Sequence, residues 1–247
     1  MEIVMKLNGR IALVTGASRG IGRAIACAFV REGACVVVTG RDAGALDALV
    51  TELGHAAHAV PGDLAVPETP EAIVAATLAR FGTLDLLVNN AGAIHPARDL
   101  ADFDPQDWRN VIEVNLVAPA MLARAAVPAM RAAGRGHIIN IASIGGRKGG
   151  RGRSAYRASK AALINLTESL AAELARDGIQ VNCICPGSVD TEGYRELMAS
   201  RGRAPVAQAM QPEEIAEVAL FLATDAASAI TGTAIDAFGA GNPLLLG

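Results

Sequence analysis

The chain has 247 residues, 51% of them hydrophobic, 19% charged and only 3% aromatic. That much aliphatic content excludes a disordered chain and suits helices packed on a parallel sheet better than an aromatic-rich β-sandwich. A formal net charge of −3 gives no global pull toward nucleic acid or an anionic membrane, and no charge-free run approaches the ~20 residues of a bilayer span.

Apolar runs and helical periodicities alternate along the chain. The runs at 11–14, 35–39, 56–60, 84–88, 137–142, 179–185 and 234–238 are short and apolar almost throughout, which predicts strands. Stretches near 20–32, 43–53, 68–81, 105–133, 155–176 and 212–224 carry helical spacing. Asp42 and Pro212-Glu213-Glu214 are helix-start signals; Arg31-Glu32-Gly33 and Arg176-Asp177-Gly178 are stops, with glycine supplying the left-handed residue. Uniformly apolar strands joined by helices predict an α/β fold. The expected architecture is a single doubly wound, Rossmann-like parallel sheet of about seven strands with helices on both faces, in one domain over 1–247. The first ten residues lack the apolar core of a signal peptide, so a cytoplasmic location is expected.

After the first strand comes Thr15-Gly16-Ala17-Ser18-Arg19-Gly20-Ile21-Gly22. Glycines at this spacing let the backbone turn tightly and approach a pyrophosphate, while the next helix offers its N–H groups to the negative charge. Gly16, Ser18, Arg19, Gly20, Ile21 and Gly22 are therefore candidate cofactor residues. In such folds an acid at the end of the second strand holds a ribose 2′-hydroxyl. Here that strand runs into Gly40 and Arg41, so Arg41, with Arg19 from the other side, is placed for a 2′-phosphate. NADP(H) is expected over NAD(H), with Asp42 as a helix cap; the competing reading gives Asp42 the ribose and makes NAD(H) the cofactor. Asp63 and Leu64 follow the third strand, where a side chain meets adenine, and Asn90, Ala91 and Gly92 follow the fourth. A simple Asx turn is the alternative for each.

Asn115 is a polar residue in an apolar helical stretch, either a satisfied core amide or the support of a water that feeds protons to a lysine. Ser143 closes the fifth strand. Tyr156 and Lys160 lie four apart at the start of a long predicted helix and share a face. A cation beside a phenol favours phenolate, and a proton donor or acceptor of that kind is what an alcohol or carbonyl oxygen needs as hydride moves. Between Ser143 and Tyr156 lie Arg147, Lys148, Arg151 and Arg153, read as a solvated loop or as a positive rim that draws an anionic substrate. Cys27, Cys35, Cys183 and Cys185 read as structural thiols in a reducing compartment, the last two pointing the same way from one strand. The four histidines form no ligand set, His55 and His58 being expected at the surface beside the third strand. No metal is expected.

Together the glycine turn at 15–22, the Asn89–Gly92 run, Asn115, Ser143, Tyr156 and Lys160, and Pro186-Gly187 with Thr191 resemble the short-chain dehydrogenase/reductase family, from about residue 10 to 236. Among its subgroups the chain is most similar to the 3-oxoacyl-[acyl-carrier-protein] reductases. The resemblance implies a tetrad: Tyr156 as general acid/base, Ser143 as anchor of the substrate oxygen, Lys160 as pKa setter and ribose ligand, and Asn115 behind them. Pro186, Gly187, Val189 and Thr191 would border the nicotinamide carboxamide. A small-molecule or carrier-bound carbonyl substrate and a homotetramer, with the helices near 105–133 and 155–176 at one interface, are also implied. A dehydrogenase of a polyol, sugar acid or other secondary alcohol is the alternative; a cofactor-binding regulator without turnover has no need of Tyr156 and Lys160. The family's lid would span 191–210, with Arg195, Arg201 and Arg203, and Gln208 where many relatives have arginine. Phe238 stands where the family often ends its last strand in an Asp, so subunit contacts and the substrate mouth are expected to differ.

Overall fold

The computed structural model describes residues 5–199, 202 and 204–239. Its element order is β1 (Ile11–Thr15), α1 (Gly20–Arg31), β2 (Cys35–Thr39), α2 (Ala43–Leu53), β3 (Ala57–Ala59), α3 (Thr69–Phe81), β4 (Leu86–Asn89), α4 (Pro105–Ile112), α5 (Ala118–Ala133), β5 (Gly136–Ile141), α6 (Ser154–Leu174), β6 (Ile179–Pro186), α7 (Glu192–Ala199), α8 (Pro212–Leu222) and β7 (Ala234–Ala237). The seven strands are parallel, in the order β3-β2-β1-β4-β5-β6-β7. Successive crossovers lead outward from β1 in one direction and then from β4 in the other. The chain therefore reverses its winding between β1 and β4, and a crevice opens at the carboxyl ends of those two strands.

Side-chain alternation explains why the strands are apolar throughout. In β2, Val36 and Val38 join the core under α1, α2 and α8, whereas Val37 points to the other face and packs with Leu13, Leu87 and Ile138 beneath α3 and α5. A strand covered on both sides has no polar position to spare. Asp42 accepts from the Ala45 amide at 2.9 Å and starts α2 as expected. Gly178, at φ +69°, turns the chain into β6.

Two expectations are corrected. The third strand shrinks to three residues, and His58 lies inside it, half-buried, not at its flank. The helical run near 105–133 is interrupted by a π turn at Glu113–Val117, a bulge that apolar periodicity does not report. Within the expected lid, residues 192–199 form a helix, and the Thr191 hydroxyl accepts from the Tyr194 amide at 3.1 Å as its cap. By length and composition alone Pro105–Ala133 would suffice to cross a membrane; here its apolar side packs under β4 and β5 against α3.

Candidate active site

The crevice at the carboxyl edge of the sheet has a volume of about 780 Å³, within the range of small-molecule sites. One end of it is made of backbone. Gly16 and Gly20 have φ of +63° and +56°, and α1 starts on Arg19 with no side chain capping its first turn and no acid within it. Its N–H groups are thus open to an anion. A side chain at Gly22 would lie 2.4 Å from both the Gly16 carbonyl oxygen and the Asn90 amide nitrogen, so only hydrogen fits. Asn90 donates to the carbonyls of Thr15 at 2.8 Å and Gly16 at 3.2 Å, while the Thr15 hydroxyl accepts from the Asn90 and Ala91 amides, both at 3.0 Å. The Asn90 side chain thus braces the glycine turn.

The other expected cofactor residues line the same crevice: Ser18, Arg19, Ile21, Arg41, Asp63, Leu64, Ala91, Gly92, Pro186, Gly187, Val189 and Thr191. Asp63 does close an Asx turn, accepting from the Ala65 amide at 3.0 Å. Arg41 is exposed at the end of β2. Arg19 reaches across to α7 and pairs with Glu196 at 2.9 Å, an ion pair that the sequence alone does not suggest.

The opposite end is made of side chains. Asn115, fully buried in the π turn, accepts from the Ala93 amide at 2.7 Å and donates to the Ala93 carbonyl at 3.0 Å and the Ser159 hydroxyl at 3.1 Å. It is the satisfied amide of the simpler reading, and it also ties the π turn to the loop after β4 and to α6. Lys160 is buried, and its Nζ donates to the Ile141 carbonyl at 2.8 Å. Burial lowers its pKa to about 8. Tyr156, one turn earlier, is half-buried and hydrogen-bonds with Ser143, whose Oγ also accepts from the Gly145 amide at 2.9 Å.

The expectation of a phenol lowered toward working pH is corrected here. Burial raises the Tyr156 pKa; the Ser143 hydrogen bond and then the Arg153 and Arg157 charges oppose it. A polar chain that sequence reading missed anchors this end: Asn89 donates to Asn140 at 2.8 Å, and Asn140 to Thr167 at 2.9 Å, all buried between β4, β5 and α6. Its signal was available, since amides at equivalent positions of two adjacent apolar strands must find partners.

The positive rim does not form as a field of free cations. Arg147 pairs with Asp236 at 2.8 Å and donates to the Ala234 carbonyl, and Arg151 makes a two-pronged pair with Asp99 at 2.8 and 3.2 Å. Arg157 donates to the Lys148 and Gly149 carbonyls. Arg153 alone of the run is buried, and it lines the crevice with its guanidinium 5.9 Å from the Tyr156 ring centre. A side chain at Gly187 would touch Phe238 at 3.4 Å, which places Phe238 against the crevice wall. In the lid, Arg195 pairs with Asp190 at 2.7 Å; Arg201, Arg203, Ala240 and Gly241 lie outside the described residues. Cys183 and Cys185 sit side by side, buried near Lys160, and their mutual hydrogen bond raises the Cys183 thiol.

Residues 10–202 match the pattern of the short chain dehydrogenase family. A cis-4-hydroxycyclohexanecarboxylate dehydrogenase of Sinomonas cyclohexanicum is 40% identical over 230 residues, covering 90% of this chain and 92% of that protein. An L-fucose dehydrogenase of Mus musculus is 40% identical over 237 residues, covering 92% and 86%. A 3-ketoacyl-(acyl-carrier-protein) reductase from Brucella melitensis, solved with NADH, superposes with a TM-score of 0.88 at 33% identity, over 95% of this chain and 98% of that one.

Proposed function

The chain belongs to the short chain dehydrogenase family and is an oxidoreductase; from that premise we propose that it moves a hydride between NADP(H) and the carbon of a carbonyl or secondary alcohol. The observation that carries this reading is the convergence of Ser143, Tyr156 and Lys160 at one end of a crevice whose other end is an uncapped helix N-terminus behind a glycine turn. The nicotinamide, when bound, supplies the hydride acceptor or donor.

The residues of the chain do the rest. Gly16, Ser18, Arg19, Gly20, Ile21 and Gly22 hold the pyrophosphate through backbone and short side chains. Asp63 and Leu64 flank the adenine, and Ala91, Gly92, Pro186, Gly187, Val189 and Thr191 flank the nicotinamide half, with Asn90 bracing the turn. Ser143 holds the substrate oxygen. Tyr156 takes the hydroxyl proton of an alcohol or gives one to a carbonyl oxygen. Lys160, titrating at about 8, exchanges that proton with water supported at Asn115. NADP(H) is favoured because Asp42 caps α2 and Arg41 stands exposed at the end of β2.

For substrate, a 3-oxoacyl thioester is one reading, supported by the likeness to the ketoacyl reductase. A compact secondary alcohol or its ketone is the other. It is favoured by the pairing of Arg147 and Arg151 with acids, which leaves little free charge to dock a carrier, and by the names of two relatives at 40% identity. A homotetramer and a cytoplasmic location fit the same family reading.

Initial rates of nicotinamide oxidation with NADPH and NADH, against acetoacetyl thioesters, ketoses and cyclic ketones, test all of this together. Thioester turnover would select the first substrate and turnover of ketones alone the second. Activity with NADH only would overturn the role given to Arg41. No turnover of any carbonyl would overturn the reading itself.

A further inference from the structure

The turn that presents Ser143 is held at both ends. Ser143 starts one turn of 3₁₀ helix at Ile144–Gly146, its hydroxyl accepting from the Gly145 amide at 2.9 Å. Arg147 ends the same turn, its amide donating to the Ile144 carbonyl at 3.0 Å. Between them two glycines lay the backbone directly on α6. A side chain on Gly146 would come within 2.8 Å of the Lys160 carbonyl group, and one on Gly145 within 3.3 Å of the Tyr156 ring. That contact limits how near the turn comes to α6. It does not fix where the turn sits along the helix, because glycine has no side chain to lodge between its neighbours.

Arg147 supplies the missing coordinate. Its Nε donates to Asp236 at 2.8 Å and its Nη2 to the Ala234 carbonyl at 2.7 Å, so the planar fork holds two residues of β7 at once. The strands run β5-β6-β7 at this edge, and the tie therefore spans β6 to join the end of β5 to β7. The Arg147 side chain is 27% exposed, whereas that of Arg151, paired with Asp99 from the same loop, is 89% exposed. A pair as open as the second contributes little; the first is covered enough to hold a geometry. β7 also carries the opposite half of the site. The Ala237 carbonyl accepts from the Gly187 amide at 2.8 Å, and Phe238 lies against Gly187. One short strand thus braces both the Ser143 turn and the Pro186-Gly187 segment.

We infer that Arg147 is a positioning residue: by tying the Ser143 turn to β7, it sets the separation between the substrate oxygen at Ser143 and the nicotinamide beside Gly187. This inference rests on the oxidoreductase reading above and deepens it. Arg147 itself does not line the crevice; it acts through Ser143 on one side and through β7 and Gly187 on the other. Reacting atoms must be held close and aligned, and a misplacement of about 1 Å can cost about 10²-fold in rate. Farther along the loop, Arg157 of α6 donates to the Lys148 and Gly149 carbonyls. Loss of the Arg147 tie therefore leaves the loop attached to the helix while the Ser143 turn is released.

The test compares Arg147→Gln, Asp236→Asn and the double variant with the wild type, and uses Arg151→Gln as a control for loop charge. With NADPH and either acetoacetyl-coenzyme A or cyclohexanone, Arg147→Gln should lower kcat about 10- to 100-fold and leave the KM for NADPH unchanged. Asp236→Asn should lose less, since the Ala234 bond remains, and the double variant should be no worse than Arg147→Gln alone. Arg147→Lys should recover part of the rate, and Arg151→Gln all of it. A second readout needs no turnover. The chain has two tyrosines, so ¹³Cζ-labelled tyrosine gives two NMR signals, assigned with Tyr194→Phe. Arg147→Gln should move the Tyr156 signal in the direction that Ser143→Ala moves it, and leave the Tyr194 signal in place. Should Arg147→Gln fail to fold, Asp236→Asn, which keeps the shape, is read in the same way. A wild-type kcat or an unmoved Tyr156 signal in the folded variant overturns the inference and leaves the oxidoreductase reading standing. A moved signal without turnover of any carbonyl keeps the tie to Ser143 and overturns that reading instead.

Discussion

The two ends of the crevice are built from different material. At the glycine turn the recognising groups are backbone N–H donors, held by an Asn90 side chain that braces the loop from behind. The cations there, Arg19 and Arg41, are exposed, and their charges are weakened by solvent. At the tyrosine end the recognising groups are side chains, and Asn115, Lys160 and Arg153 are all buried. The same charge therefore does more there, because little water screens it. A methyl on Gly22 has no room at the first end, and buried side chains set the charge at the second.

Four measurements break or sharpen that contrast. The largest effect belongs to Tyr156→Phe, which removes the phenolic oxygen and keeps the ring. Turnover should fall by about 10²- to 10⁴-fold while NADPH still binds, because the glycine turn is untouched; full activity would dismiss the assigned acid/base.

Next comes the pH dependence of stability. Lys160 titrates at about 8 in the fold, below its ordinary 10.5. Between those values the unfolded chain binds the extra proton, so stability should rise with pH across that window, by up to about 3 kcal/mol. Tyr156, shifted upward by burial, acts in the opposite sense only above the ordinary phenol range. Tm measured for wild type and Lys160→Met should diverge in favour of the wild type as pH climbs from 8 to 10. A constant difference would mean that the buried lysine is not desolvated as described.

Gly22→Ala probes the backbone end. Its methyl would meet a main-chain oxygen at 2.4 Å, so a cost of about 1–3 kcal/mol and weakened cofactor binding are expected. An unchanged Tm with normal NADPH affinity would show that the turn has room to adjust. The smallest effect is at Glu196. An exposed ion pair is worth about 0–1 kcal/mol, so Glu196→Gln should lower the KM for NADPH by only about two- to threefold, by freeing Arg19, and leave that for NADH unchanged. An equal change for both nicotinamides would remove Arg19 from 2′-phosphate recognition.

Much of the architecture was legible before any coordinates. Seven apolar runs became seven strands, with no end moved by more than two residues, because a strand buried on both faces must be apolar at every position. The caps at Asp42 and the stop at Gly178 were local chemistry and were read as such. The π turn at Glu113–Val117 was not legible, since nothing in the spacing of apolar residues marks one extra residue in a helical turn. The helix 192–199 had a signal in Thr191, whose hydroxyl caps it, but a single hydroxyl before a polar stretch is a weak mark of a helix start.

What the sequence by itself determined is the order of short-range features: strand, glycine turn and helix, then Asn115, Ser143 and the Tyr156/Lys160 pair one helical turn apart. These follow from interactions within a few residues. What only the tertiary structure decided is the electrostatic state of each group. Arg147 meets Asp236, 89 residues away, and Arg19 meets Glu196, 177 residues away, while Arg153 alone of its run is buried beside Tyr156. A charge's strength depends on its partner's distance and on the water left around it, and neither is set until distant segments pack together.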